Sequence, residues 1–390
     1  MKKKNKIILI ILICILVVSV SAGVIYFVSK KNSDKTVNVA FYGLPQDICK
    51  SIQEEFSNDL KLKVQFDILA NDNLDLGIVT KKYDMFFAWN GEVTQTLSSS
   101  AEKIPSKIME NIPISLRNEY CVPVLLDHYE IAVNKEIVEK TQINPEESFQ
   151  SFTDFLHESS KYVFSPFFTD GGNDEVLLSL VGSFTETLGG SEAYRNLINQ
   201  MQTYDKLDDF VDTGLNDAGF SLSDVLNMIK IWPKEELLHP QWTVANKKDL
   251  EIFSEQNQIA AFYINLSEHR KIPFHVINKF TAIKMPVADE NTPHCIIAPA
   301  VCCVLISDNS NAKNYLKTLL NLECQTRLSD KTMLAPVHYR AEAFDSLSDD
   351  VRFWAASCED GVMPNLTTAV YQRKQDKIKE IANEIRAYLK

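Results

Sequence analysis

Asp127, His128 and Glu130 fall within one short stretch, and carboxylates beside an imidazole are raw material for general acid–base chemistry. Their spacing argues against that use. In an extended chain an offset of three turns Asp127 and Glu130 to opposite faces, so they do not flank one scissile bond as a glycosidase pair must. The chain also lacks G-x-S-x-G, H-E-x-x-H and a P-loop. Cysteines 49, 121, 295, 302, 303, 324 and 358 are odd in number, contain no C-x-x-C and mostly sit in apolar runs. They read as buried thiols rather than as a disulfide scaffold or zinc site. No enzyme, metal or cofactor chemistry emerges from these patterns.

Binding chemistry is better represented. Trp89-Asn90 closes the apolar run Tyr83–Trp89, and Tyr42 closes Thr36–Tyr42. Ligands of open α/β sheets sit just beyond such strand ends. Tyr263 and Trp354 add further rings, and Asp127 interrupts the run Tyr120–Lys135. A ring stacks on the C–H face of a sugar, and Asp or Asn pairs with its hydroxyls. The same groups also hold ammonium ions, so a carbohydrate and a polyamine both fit. The candidate ligand-binding residues are Tyr42, Trp89, Asn90, Asp127, Tyr263 and Trp354.

The elements that must position them alternate between strand and helix. Strand-like runs at Thr36–Tyr42, Lys61–Leu69 and Tyr83–Trp89 flank a helical repeat of Ile48, Ile52 and Phe56. This order predicts an α/β layer fold. A helix-rich middle follows, with an apolar helix over Glu175–Leu188 stopping at Gly189-Gly190. Strand character returns at Phe280–Pro286 and Cys295–Ile306, and Val370–Leu389 is an amphipathic terminal helix. A domain that resumes after an insertion requires at least two crossings between lobes, and two lobes so joined can hinge.

The N-terminus carries a separate signal. Four lysines precede an uncharged run at residues 7–28, closed by Lys30-Lys31. The run is long enough to span a bilayer, and its flanking lysines place the N-terminus in the cytoplasm. A signal peptide cut near Val20-Ser21-Ala22 is the competing reading; the length and the closing lysine pair favour an anchor. The whole chain carries a net charge of −12, and removing the +6 of residues 1–35 leaves −18 beyond them. Such acidity excludes a nucleic-acid partner, whose phosphates require clustered Lys and Arg.

Taken in order, several short segments resemble a known family. They are Tyr83-Asp84…Ala88-Trp89-Asn90-Gly91, Val122-Pro123…Asp127…Asn134-Lys135, Leu188-Gly189-Gly190, Phe253…Ala260-Ala261-Phe262, Met285-Pro286, Leu334-Ala335-Pro336-Val337 and Met363-Pro364-Asn365. Their order is similar to that of the extracellular solute-binding proteins of ABC importers, the group that includes maltose-binding protein. The resemblance implies a two-lobed type II periplasmic-binding-protein ("Venus flytrap") fold. Lobe 1 would comprise residues 36–127 and 298–335, and lobe 2 residues 128–297 and 336–390, behind a tip, membrane helix and linker at 1–35. It further implies a carbohydrate bound between the lobes and delivered to permease subunits, with no reaction catalysed; a polyamine, a phosphorylated polyol or a sensing role are the alternatives. By position, Asp127 is similar to an acidic cleft residue at the first hinge, and Trp354 to a ring that stacks on bound sugar. The main domain would be periplasmic or extracellular. The chain departs from the family in lacking a lipobox cysteine, and in reading Phe-Tyr-Ile-Asn after Ala260-Ala261.

Overall fold

The computed structural model describes residues 36–57, 63–70, 74–358 and 360–390. The apolar run at 7–28 lies outside the described residues. Among those described, no helix is long and apolar enough to cross a membrane.

The first sheet contains β1 (Thr36–Tyr42), β2 (Lys63–Leu69), β3 (Met85–Trp89) and β4 (Val122–Leu126). β5 (Tyr129–Asn134), β6 (Ser165–Thr169), β7 (Ile259–Asn265) and β8 (Phe280–Ile283) form a second. The short β9 (Ile296–Ile297) precedes β10 (Ala300–Leu305) and β11 (Ala335–Pro336), which return to the first sheet, and β12 (Val362–Met363) pairs with β9. The first sheet runs β11-β4-β10-β3-β1-β2, and the second β6-β7-β5-β8. β1 is parallel to both its neighbours, while β10 is antiparallel to β3 and β4.

Strand alternation explains why β1 reads as an almost unbroken apolar run. Val37, Val39 and Phe41 enter one core, and Ala40 and Tyr42 enter another on the opposite face. Parallel strands covered by helices on both sides are buried on both faces. The second sheet behaves alike: Tyr129, Ile131 and Val133 face the large core under helix Asp174–Thr203, and Ala132 faces the smaller one.

The break in Tyr120–Lys135 is two residues long, and its two halves enter different sheets. Cys295–Ile306 is likewise two strands rather than one, because Ala298-Pro299 intervenes and β9 pairs apart from β10. A third crossing follows helix Ser346–Ser357. That helix was expected in the second lobe by sequence position. Instead Val337, Val351 and Ala355 belong to the core of the first sheet, and only from Leu366 does the chain rejoin the large core of the second. The correction has a simple cause: β11 returns the chain to the outer edge of the first sheet, and the helix packs where it lands.

Gly189-Gly190 does not end its helix for good. Gly190 adopts φ 78°, ψ −179°, and a second helical segment starts at once, giving one kinked helix over Asp174–Thr203. A Cβ at Gly190 would lie 2.3 Å from Thr292 Cγ2, so backbone freedom and lack of space both demand glycine.

Candidate functional site

β1, β2, β3, β4 and β7 all end at one cleft of about 560 Å³. The first sheet contributes Gly43-Leu44-Pro45, Leu69 and Trp89; the second contributes Tyr129, Asn265 and Ser267. The segment from Asn365 to Ile378 and Glu175, in the first turn of the kinked helix, close the far side. The wall therefore comes from both lobes, as a hinge-closing ligand site requires.

Trp89 lines this cleft half-buried, so its ring is available as a stacking surface. Its backbone is fixed: Gln372 Nε2 donates to the Trp89 carbonyl at 3.1 Å, and Gln372 Oε1 accepts from Val93 N at 3.1 Å. Asp127 also lines the cleft, but both of its oxygens are in use. Oδ1 accepts from the backbone N–H groups of His128 (2.9 Å) and Ser267 (3.2 Å), and Oδ2 accepts from Ser267 Oγ (2.7 Å) and Asn265 Nδ2 (3.1 Å). Burial pushes its carboxyl above the usual range, and those donors offset part of the effect. Asp127 N in turn donates to Pro299 O at 2.7 Å. Asp127 thus joins two crossings to the second lobe.

The other four expected residues have different roles. Asn90 accepts from Ala300 N (2.9 Å) and donates to Ala298 O (3.2 Å), clasping the second crossing beside a neighbouring hollow. Tyr42 is fully buried because its strand position faces a core, and its hydroxyl donates to Gln372 O at 3.0 Å. Tyr263 lies in the core, its ring stacked on Tyr129 at 5.4 Å and its hydroxyl 2.8 Å from Ser183 Oγ. Trp354 packs against His128 with ring centroids 5.4 Å apart, on a helix that does not line the cleft. Tyr42, Tyr263 and Trp354, expected at the ligand, are therefore not among the residues that line this cleft. Glu130 faces away from the cleft and is hydrogen-bonded to the buried His269, so it forms no acid–base pair with Asp127.

Sequence reasoning missed Asp47, Glu175, Asn265, Ser267, Thr367, Thr368 and Gln372, all in the lining. Asn265 had a signal, since it ends the strand that contains Tyr263. Glu175 is accessible from the cleft yet crowded by protein; that crowding, and then Asp174, hold its carboxyl above the usual range. Among the described residues no cluster of His, Cys, Asp or Glu is arranged to hold a metal ion, and the cysteines are free thiols.

No protein-family model and no curated protein sequence matches the chain. Solved structures do. The bacterial solute receptor AcbH, described as having an exclusive preference for β-D-galactopyranose, aligns with TM-score 0.70 and 11% identity over 91% of this chain and 95% of its own. The binding protein MsmE of Bacillus subtilis, in an open conformation, aligns with TM-score 0.67 and 13% identity over 91% and 98%. RafE of Streptococcus pneumoniae aligns with TM-score 0.61 and 13% identity over 91% and 97%, and a RafE structure with raffinose is also similar. At such identities the likeness is one of fold: the chain has the two-lobed architecture of sugar-binding solute receptors.

Proposed function

We propose that this chain is the extracytoplasmic solute receptor of an ABC importer, and that it takes a carbohydrate in the inter-lobe cleft. The observation that carries this reading is the cleft itself. It lies at the carboxyl ends of five strands, draws its wall from both lobes and presents the Trp89 ring among polar groups. AcbH and RafE, whose fold the chain shares, bind sugars. No bond is made or broken in such a protein. A sugar that touches Trp89 on one side and Asn265, Thr367 or Thr368 on the other favours the closed state only through those two-sided contacts. The closed form then docks on permease subunits. In this reading residues 7–28 anchor the chain, the N-terminus is cytoplasmic, and the lobes comprise residues 36–127 with 298–357 and 128–297 with 365–390.

Calorimetric titration against a saccharide panel tests the proposal. A saccharide is expected to bind, and Trp89→Ala is expected to weaken it about tenfold, the loss of about 1.4 kcal/mol of stacking and burial. The unliganded variant is expected to unfold at a lower temperature, because Trp89 also packs against the core of the first sheet, so affinities are compared at a temperature where both proteins are folded. Absence of binding by every saccharide, or unchanged affinity in the variant, would remove the cleft assignment.

A further inference from the structure

One short segment of the cleft wall is fastened to both lobes. It leaves the end of β7 in the second sheet, and its residues Asn265, Ser267, Glu268 and Lys271 line the cleft. Leu266, between them, is fully buried in the core of the first sheet. Arg270 lies four residues on, at the end of the helical turn Leu266–His269 and on the same face of it. It too reaches the first lobe. Its Nη2 donates to Asp345 Oδ1 at 2.6 Å and to Ser348 Oγ, and its guanidinium carbon lies 5.0 Å from the centre of the Phe344 ring. Asp345 caps helix Ser346–Ser357, whose Val351 and Ala355 enter the core of the first sheet. His269, next in sequence to Arg270, is tied the other way, hydrogen-bonded to Glu130 of β5 in the second sheet.

Stability alone accounts poorly for Arg270. Its side chain is only 5% exposed, yet Nε and Nη1 have no hydrogen-bond partner among the described residues. A guanidinium buried against one carboxylate repays its desolvation badly, and a packed apolar side chain often does as well or better. What the pair adds is direction, because the planar fork meets a carboxylate in few orientations. Here the two partners belong to different lobes. If the second lobe rotates about its crossings, either Arg270 leaves Asp345 or His269 leaves Glu130. We propose that Arg270 is a positioning residue for the ligand: its bond to Asp345 holds the second lobe's wall, with Asn265 and Ser267, at the orientation that completes the cleft beside Trp89. The proposal rests on the cleft being the ligand site, as read above, and on no particular sugar.

Two measurements on the full chain test it: calorimetry with the best-bound saccharide of the panel, and hydrogen exchange without ligand. Arg270→Met keeps much of the side-chain volume and removes the charge. It is expected to weaken binding about tenfold, as when the binding-competent fraction falls to about a tenth. Arg270→Lys, which keeps the charge, is expected to lose less. The exchange arm separates lobe orientation from local damage. Val93 N donates to Gln372 Oε1 in another contact between the lobes, which shares no residue with the Arg270 contact. The Val93 amide is expected to exchange faster in Arg270→Met than in the parent. Should that variant fail to fold, Asp345→Asn is read in its place: Asn still caps the helix, and the same two changes are expected, smaller. Exchange that rises only within 265–271 and 344–350, or equal or tighter saccharide binding, overturns the inference. If no saccharide binds the parent, the carbohydrate reading falls, and Val93 exchange alone decides this one.

Discussion

At the scale of single residues, Asp127 shows how one side chain can line a cleft and still serve mainly as a joint. Removing its carboxylate strands the N–H groups of His128 and Ser267, the Ser267 hydroxyl and the Asn265 amide. Leaving buried donors without acceptors costs about 1–3 kcal/mol each before solvent relaxation. Asp127→Ala is therefore expected to lower stability by about 3 kcal/mol in urea denaturation, whether or not ligand is present. A ligand-contacting role alone would leave the unliganded protein's midpoint in place. Trp89 and Asp127 were legible as cleft residues because each stands where an apolar run stops. Glu175 was not legible, because an acidic residue in a helix's first turn is ordinary N-terminal chemistry, and only the folded chain brings it into the cleft lining. Tyr263 misled for a local reason: it lies inside the strand, over the large core, and only Asn265 at the strand's end reaches the cleft.

At the scale of elements, helix Leu366–Val370 meets the bend at Gly91 across the lobe boundary. Gly91 holds φ 154°, and a Cβ there would stand 2.1 Å from the carbonyl oxygen of Thr368. Backbone presses on backbone across the lobe boundary, so no side chain can yield. Gly91→Ala is expected to cost at least about 2 kcal/mol in chemical denaturation. It is also expected to weaken ligand binding, since Thr367, Thr368 and Gln372 would move away from Trp89. Asn90-Gly91 reads from sequence as a turn, and a turn it is. Its partner, nearly 280 residues downstream, leaves no mark on the local pattern. The same limit explains helix Ser346–Ser357: its amphipathic face is visible in the sequence, but which lobe it covers depends on where β11 ends.

At the scale of the whole molecule, the chain crosses between the lobes three times, near 127, 298 and 358–365. The α/β alternation and the first two crossings were visible as returning strand character; the third was hidden, because β9 and β12 are two-residue strands with no periodicity to detect. β10 stands between β3 and β4 in the middle of the first sheet, with Val301 opposite Trp89. A fragment spanning residues 36–296 has all of β1–β4 but lacks the strand that joins β3 to β4. It is expected to be digested by low protease within the time that leaves 36–390 intact. The placement of β10 also governs the protein's history on the ribosome. A nascent chain must be three-quarters made before its first sheet can close, and the second lobe waits for the terminal helix Gln375–Leu389 to cover its core. Contacts so distant in sequence form slowly, and the incomplete sheet exposes open edges in the meantime. The polypeptide therefore stays threadable until almost its last residue is added, a property that the proposed extracytoplasmic location would call for.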